Sequence, residues 1–129
     1  MEFRSPKCRV LFVDDEARIT QMAEQVLRSQ GFEVTALTSA VRALAAFLAE
    51  PLEFDAVVLD HTMPELSGLE LAQRISSIRQ ELPIVLLSGL AEGLSRAALQ
   101  KAGVARCLPK PLPLSQLGEL LHGLLQREA

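Results

Sequence analysis

Five short apolar runs, separated by segments with helical periodicity, constrain the fold of this chain more than any other feature. They cover residues 8–13, 32–37, 54–59, 83–87 and 105–108. Each run is nearly continuous in apolar residues and shows little alternation between apolar and polar positions. Strands with this pattern are buried on both faces, as in parallel sheets that helices cover.

The intervening segments carry apolar residues at spacings of three and four, which is typical of helices with one buried face. The residues predicted to face inward are Ile19, Met22, Ala23, Val26 and Leu27; Val41, Leu44, Ala45 and Leu48; Leu71, Ala72, Ile75 and Ile78; Leu94, Ala97 and Ala98 in a weaker helix over 92–101; and Leu114, Leu117, Leu121 and Leu124 over 114–126. Gly31 is predicted to end the first helix.

Alternation of five strands with five helices predicts an α/β fold, a doubly wound five-stranded parallel sheet. Five βα units of this size suit the flavodoxin-like strand order 2-1-3-4-5. In such a sheet, ligands bind beyond the carboxyl ends of the strands, in the crevice between the first and third strands.

The chain has 129 residues, which fits a single domain. Residues 1–7 are predicted to be a flexible N-terminal segment, and residues 8–129 to form the domain. The net charge is −3 and basic residues are scattered, which argues against nucleic-acid binding. No apolar run is long enough to span a bilayer, so we expect a soluble, cytoplasmic protein without membrane contact. Cys8 and Cys107 are predicted to remain thiols.

Polar side chains follow four of the apolar runs. Asp14 and Asp15 follow the first run, Asp60 the third and Ser88 the fourth, and Lys110 follows the last run after Pro109. Because parallel strands end at one edge of the sheet, these side chains are expected to converge on one small site.

Three carboxylates in one place repel one another, and a hard divalent cation relieves that repulsion. Mg²⁺ suits a site with few carboxylates, because it keeps several water ligands, whereas Ca²⁺ needs more ligands than are visible here. The simpler alternative is that Asp14, Asp15 and Glu16 only begin a helix, where acidic residues are favoured by the helix dipole.

Asp60 has the chemistry of a nucleophile toward a phosphoryl group, as in aspartyl-phosphate enzymes. Lys110 and Ser88 would then compensate the negative charge of the phosphoryl oxygens. Pro109 and Pro111 bracket Lys110, and a cis bond before Pro111 is predicted to aim its side chain inward.

Together these motifs closely resemble the receiver domain of response regulators in two-component signalling. The motifs are Asp14-Asp15, Asp60 with Met63-Pro64 and Gly68, Ser88-Gly89, and Lys110-Pro111. The resemblance covers residues 8–126, and although each motif is weak alone, the joint pattern is highly specific.

The resemblance implies a role for each matching residue. Asp60 corresponds to the phosphoacceptor, Ser88 to the hydroxyl residue that bonds a phosphoryl oxygen, and Lys110 to the lysine that pairs with it. The implied Mg²⁺ ligands are Asp15 directly, Asp14 largely through water, Asp60, and the backbone carbonyl of Thr62.

The resemblance also implies a partner and an output. A histidine kinase or histidine phosphotransfer domain would donate the phosphoryl group from a phosphohistidine. The face formed by the fourth helix, fifth strand and fifth helix would respond. Leu99, Leu120 and Leu125 are predicted to be exposed there, either as an apolar surface for a partner or as isolated leucines without a function. Such a domain is a signalling module with self-phosphorylation and self-dephosphorylation chemistry rather than a turnover enzyme.

The chain departs from the family pattern at two positions. Cys107 stands where an aromatic switch residue is usual; a small buried apolar filler is the favoured interpretation, and a redox role is the alternative. Leu90 offers water no hydrogen bond, which predicts slow self-dephosphorylation. His61 is expected to face solvent beside the site rather than to bind metal.

Two other functions stay open at this stage. A pseudo-receiver that only binds partners is the main alternative, although the intact acidic pair, Asp60, Ser88 and Lys110 argue against it. A phosphatase of the haloacid-dehalogenase type would need an Asp-x-Asp pair on the first strand, where this chain has adjacent aspartates. The turn after Asp60 is also similar to that of receivers at the carboxyl end of hybrid histidine kinases.

Overall fold

The computed structural model describes residues 7–89 and 93–126, in which five strands alternate with five helices. The strands are β1 (Arg9–Val13), β2 (Glu33–Leu37), β3 (Ala56–Asp60), β4 (Ile84–Ser88) and β5 (Arg106–Pro109). The helices are α1 (Ala17–Ser29), α2 (Ala40–Ala49), α3 (Gly68–Ser76), α4 (Arg96–Lys101) and α5 (Leu114–Gln126). The predicted alternation is confirmed.

The sheet has the order β2-β1-β3-β4-β5, and every neighbouring pair is parallel, as predicted. Val13 at the end of β1 pairs with Leu37 and Leu59, and Ser88 at the end of β4 pairs with Pro109. The strands therefore finish nearly level, and the residues that follow them share one edge of the sheet.

Each face of the sheet contributes to its own hydrophobic core. In β1, Leu11 and Val13 pack in the core beneath α2 and α3, whereas Val10 and Phe12 pack in the core beneath α1 and α5. All four side chains are fully buried. Burial on both faces explains why the strands are continuous apolar runs rather than alternating ones.

The predicted inward face of α2 was wrong except at Leu44, which packs partly buried on the core. Ala40, Ala43 and Phe47 are buried, whereas Val41 and Leu48 are each 51% exposed. Apart from Arg42 every residue of α2 is apolar. The sequence therefore offers several candidate faces, and packing of the large Phe47 ring selects one that differs from the prediction.

Other inward assignments also need correction. Met22 of α1 is 53% exposed, and Ile78 is exposed because α3 ends at Ser76. The fourth helix begins only at Arg96, and its Ala97 is exposed. Residues 90–92, where that helix was predicted to begin, lie outside the described residues.

Leu99, Leu120 and Leu125 were predicted to be exposed on the output face. Leu99 packs partly buried on the core beneath α2 and α3. Leu120 and Leu125 pack partly buried on the core beneath α1 and α5. The apolar surface at this face is therefore smaller than predicted.

Three further features of the chain follow from the fold. Gly31 has a φ of +99° just after α1, so the predicted helix stop is confirmed. No disulfide joins Cys8 and Cys107, whose strands are not neighbours in the sheet. Among the helices that the structure describes, none is both long and apolar enough to cross a membrane.

Candidate functional site

Asp14, Asp15 and Asp60 come together at the carboxyl edge of the sheet. One carboxylate oxygen from each lies within 4.8 Å of the others. Asp14 and Asp60 are buried and Asp15 is exposed. The cluster forms because β1 and β3 are neighbours and end at the same level, as their pairing of Val13 with Leu59 shows.

The two carboxylate oxygens of Asp14 have different surroundings. Oδ1 accepts a hydrogen bond of 2.9 Å from the backbone N–H of Glu16. Oδ2 is buried and has no hydrogen-bond partner among the described residues. The only charged partner that the described residues offer this oxygen is Lys110 Nζ at 3.5 Å, which is longer than a hydrogen bond, so a further cation would relieve the cost of its burial. The donor set, three carboxylates with one exposed to solvent, fits Mg²⁺.

Lys110 supplies a positive charge inside this cluster. Its Nζ donates a hydrogen bond of 3.0 Å to Asp60 Oδ1 and lies 3.5 Å from Asp14 Oδ2. Its backbone N–H donates to the carbonyl of Ser88 at 2.9 Å, which continues the pairing of β4 and β5. The Lys110–Pro111 peptide bond is cis, as predicted.

The surroundings of Asp60 and Lys110 raise the pKa of both side chains. Burial raises the pKa of Asp60 and the negative charge of Asp14 adds to that, so the lowering effect of Lys110 is outweighed. Burial alone would lower the pKa of Lys110, but its bond to Asp60 and the charge of Asp14 leave that pKa raised. Negative charge is thus in excess at this edge of the sheet.

Ser88 lies at the same edge, at the end of β4. It is buried, and its hydroxyl donates to the carbonyl of Gly89 at 3.0 Å. The hydrogen bonds of the described residues include none between Ser88 and Asp60. The hydroxyl therefore lies at the predicted edge of the sheet but points to the backbone of the next residue and not to Asp60.

The turn after Asp60 is held close to the strand by Gly68. A Cβ atom at Gly68 would lie 2.5 Å from the Asp60 carbonyl oxygen, too close for any side chain. The Gly68 N–H donates to the His61 carbonyl at 2.8 Å, and Ser67 begins α3 with a capping box that includes Glu70. The glycine therefore allows α3 to begin directly beside the acidic cluster.

His61 and Thr62 lie in this turn. His61 is half-buried, and its Nδ1 accepts a hydrogen bond of 3.4 Å from the Leu69 N–H, so it contacts the start of α3. His61 is thus less exposed than the predicted solvent-facing position, and it is not one of the three residues of the acidic cluster. Thr62 is exposed, and the role of its carbonyl as a ligand stays a prediction.

An apolar groove opens beside the cluster, and the sequence alone did not reveal it. Its volume is about 420 Å³, and Asp14 and Lys110 lie among the residues that line it. Most of its wall is apolar and comes from β1, β4, α1 and the segment that leads into α5: Phe12, Leu87, Ile19, Met22, Val26, Pro111, Leu112 and Leu114. The sequence signal for this groove was the apolar residue Met22, but its helical spacing predicted that it faces the core.

The prediction that Cys107 is a buried filler was wrong. Cys107 is exposed and lines a smaller cavity of about 250 Å³ together with Ser88 and Leu94. The chain therefore leaves open space beside Ser88 at the position of the usual aromatic residue. Leu90, on which the prediction of slow dephosphorylation depends, lies outside the described residues.

The profile of the response regulator receiver domain family matches residues 10–122 of this chain. The chain belongs to this family. Receiver domains are signalling domains, so the hydrolase alternative from the sequence is not supported.

Curated relatives agree with this membership. The response regulator MprA of Mycobacterium avium (strain 104) is 34% identical over 119 residues, which are 92% of this chain and 51% of that protein. MprA of Mycobacterium sp. (strain KMS) is 35% identical with the same coverage. The chain thus spans about half the length of these relatives.

Solved receiver structures share the fold of this domain. The receiver domain protein from Clostridium thermocellum has a TM-score of 0.86 and 26% identity, with 94% of this chain and 96% of that chain covered. The response regulator TrrA from Thermotoga maritima, solved in complex with Mg²⁺ and BeF, has a TM-score of 0.80 and 28% identity, with 91% and 98% covered.

Proposed function

We propose that Asp60 of this receiver domain accepts a phosphoryl group, with Mg²⁺ as cofactor. The observation that carries the proposal is the contact of Lys110 Nζ with the buried Asp60 carboxylate, beside the buried Oδ2 of Asp14, whose charge only the same ammonium group faces, at 3.5 Å. A buried nucleophile and one cation shared between two buried carboxylates suit a reaction that is assisted by a further cation.

In the proposed reaction, an Asp60 carboxylate oxygen attacks phosphorus and the bond from phosphorus to the histidine nitrogen breaks. The electron pair of that bond returns to the imidazole, and Asp60 becomes an acyl phosphate. Lys110 then pairs with a phosphoryl oxygen, and the Ser88 hydroxyl turns from the Gly89 carbonyl to donate to another. Both residues hold the product rather than transfer protons.

Mg²⁺, when bound, neutralises charge on the phosphoryl oxygens and orients them. Its proposed ligands are Asp15, Asp60, the Thr62 carbonyl and, largely through water, Asp14. Of the three aspartates only Asp15 is exposed, so it is the one open to an incoming hydrated ion.

We propose that the donor is a phosphohistidine of a histidine kinase or a histidine phosphotransfer domain. The apolar groove supports this assignment, because Asp14 and Lys110 lie among its lining residues. A protein that docks an apolar helix surface there would bring its phosphohistidine toward Asp60. Met22, more than half exposed on α1, would then contact the donor.

The output face in this proposal is the surface of α4, β5 and α5, which carries Cys107 and lies next to Ser88. A change at Ser88 reaches this face through the small cavity that Ser88 and Cys107 line. The domain occupies residues 8–129 in this proposal, and it works as a phosphorylated signalling module in a response regulator or at the carboxyl end of a hybrid kinase.

Intact-mass spectrometry after incubation with a small acyl-phosphate donor and Mg²⁺ tests the proposal. One added phosphoryl group is expected in the wild type and none in Asp60→Asn, whereas Asp55→Asn serves as a matched control that should still be labelled. Chelation of the metal should abolish the adduct. A folded, Mg²⁺-binding protein that acquires no adduct from either the small donor or a phosphohistidine protein would favour the pseudo-receiver alternative.

A further inference from the structure

The side chain of Glu65 joins the turn after β3 to the first turn of α2. Its Oε1 accepts a hydrogen bond of 2.7 Å from the Ser39 hydroxyl and one of 3.3 Å from the backbone N–H of Val41. Ser39 is the N-cap of α2, and its Oγ accepts a further bond of 3.1 Å from the Arg42 N–H. The contact of Glu65 with Ser39 spans 26 positions of sequence, so it connects two different loops at the carboxyl edge of the sheet.

Glu65 is held in its charged form by this contact, although its side chain is exposed. The hydrogen bond from the Ser39 hydroxyl, helped by the N–H groups of Val41 and Ala40, lowers the pKa of Glu65 below its ordinary value of 4.5. The start of a helix also favours an anion, because its first N–H groups have no partner within the helix. The carboxylate therefore caps α2 from another loop.

The turn between β3 and α3, residues 61–67, is also held by the sheet and by the core. The His61 N–H donates to the Leu87 carbonyl at 2.9 Å, which ties the start of the turn to β4. The side chain of Met63 is buried in the core beneath α2 and α3. Glu65 adds a link from the exposed part of the turn to a neighbouring element.

Thr62 stands between these fixed points, and its carbonyl belongs to the peptide group that leads into Met63. Pro64 restricts its own φ and also the backbone conformation of Met63 before it. Few freely rotating bonds therefore separate the Thr62 carbonyl from the backbone of Glu65. A displacement of Glu65 from α2 would be transmitted to the direction of that carbonyl.

We propose that Glu65 is a positioning residue for Mg²⁺ binding, which acts by holding the Thr62 carbonyl in place through its contact with Ser39 and the start of α2. The inference rests on the proposed function, in which that carbonyl is a metal ligand. Glu65 is not one of the three residues of the acidic cluster, so it acts through Thr62 rather than on the ion. Removal of a group that orients a metal ligand typically weakens metal binding about 10-fold to 100-fold.

Isothermal titration calorimetry of Mg²⁺ binding to the whole chain tests the inference, with circular dichroism to show that each variant is folded. Glu65→Ala should raise the dissociation constant at least about tenfold. Glu65→Gln should raise it at most about threefold, because its amide oxygen can still accept both bonds. Glu81→Ala is the matched control, since Glu81 is also an exposed carboxylate whose pKa is lowered by a hydrogen bond, in this case from Arg79. This control should bind Mg²⁺ as tightly as the wild type.

Substitutions at Ser39 test the contact from its other end without removing the helix cap. Because Asp caps a helix as well as Ser does, Ser39→Asp keeps an acceptor for the Arg42 N–H but places a second carboxylate against Glu65. It should weaken Mg²⁺ binding about as much as Glu65→Ala. Adding Glu65→Gln to Ser39→Asp should recover most of the loss, since the amide N–H can donate to the new carboxylate.

Labelling by a small acyl-phosphate donor separates metal positioning from a general effect on Asp60. At saturating Mg²⁺, Glu65→Ala should be labelled at the wild-type rate, whereas the Mg²⁺ concentration that gives half of that rate should rise at least about tenfold. Wild-type Mg²⁺ affinity in Glu65→Ala, or labelling that stays slow at saturating Mg²⁺, would overturn the inference and leave the proposed function intact. Equal losses in Glu65→Gln and Glu65→Ala would overturn it as well, because charge alone would then be responsible. A wild type that neither binds Mg²⁺ nor is labelled would overturn both.

Discussion

Lys110 Nζ lies 3.0 Å from Asp60 Oδ1, a contact that joins the loop after β5 to the last residue of β3 across fifty positions of sequence. Asp60 nevertheless has a raised pKa, because burial and the charge of Asp14 together exceed the effect of Lys110. The site therefore holds more negative charge than it can neutralise alone. The predictions below follow from that imbalance and from the packing around it.

Replacing Lys110 with Met should slow formation of the Asp60 acyl phosphate by about 10²-fold, because the fixed cation that stabilises developing charge is lost. Time-resolved intact mass with a small acyl-phosphate donor measures the rate. Lys101→Met is the matched control, since Lys101 is an exposed lysine in the last turn of α4. Equal rates for Lys110→Met and the wild type would contradict the assigned role.

Asp60→Asn should stabilise the protein without metal by about 1 kcal/mol at about pH 7. Since the folded-state pKa of Asp60 is raised above its ordinary value of 3.8, its favourable contribution is complete only below that value and is lost as the pH rises through the folded pKa. The advantage of the variant should therefore shrink as the pH is lowered from about 7 toward about 4, because the folded wild type takes up a proton at Asp60 more readily than the unfolded chain does. Urea unfolding at both pH values in the presence of a chelator measures it. A constant advantage at both would contradict the pKa shift.

Mg²⁺ should raise the unfolding temperature of the wild type, and at a concentration of about 100 times the dissociation constant it should add about 2.7 kcal/mol. Asp15→Asn should lose most of this effect, because Asp15 contributes a carboxylate to the cluster. Glu16→Gln is the neighbouring control and should keep it. Calorimetry with and without the ion distinguishes them, and full Mg²⁺ stabilisation of Asp15→Asn would remove Asp15 from the ligand set.

Gly68→Ala should destabilise the fold by about 2 kcal/mol, because its Cβ would lie 2.5 Å from the Asp60 carbonyl oxygen and 2.6 Å from Leu86 Cδ1. Gly123→Ala in α5 is the matched control, since no atom lies within 4 Å of a Cβ placed there. That change should stabilise the helix by about 0.5 to 1 kcal/mol. Chemical denaturation of the two variants should give opposite signs.

Met22→Asp should slow phosphoryl transfer from a phosphohistidine protein while leaving labelling by a small acyl phosphate unchanged. The reason is that Met22 lines the groove, where only a macromolecular donor would contact it. Val41→Asp, an exposed apolar residue of α2 on the other layer, provides the comparison and should affect neither reaction. Slower labelling by both donors in Met22→Asp would show that Met22 supports the site itself.

The sequence predicted which residues form the site because it predicted the parallel sheet and the order of its strands. Asp14, Asp60, Ser88 and Lys110 each follow an apolar run, and a parallel sheet brings the ends of such runs to one edge, so their convergence followed without atomic detail. The direction of each side chain did not follow. Ser88 donates to Gly89, and one oxygen of Asp14 forms no hydrogen bond with the described residues, because such contacts depend on turn geometry and local packing.

The buried face of a helix was predictable from the sequence in α5 but not in α2. The pattern of α5 was sufficient, because polar residues mark its outer side and Leu117 and Leu121 are buried as predicted. In α2 polar residues are nearly absent, so the sequence made several faces equally apolar, and of the predicted face only Leu44 packs against the core. Cys107 was misjudged for a similar reason, since an apolar preference does not show whether β5 is covered.

By itself the sequence determined the order of the elements, the parallel sheet and the set of residues at its carboxyl edge, because these depend on periodicity and on short-range backbone rules. Only the tertiary structure decided which face of α2 meets the core, that a groove opens beside Lys110, and that the charge at Asp60 is only partly neutralised. Those properties depend on distances between residues remote in the chain, where the size and burial of neighbouring side chains set both the packing and the electrostatics.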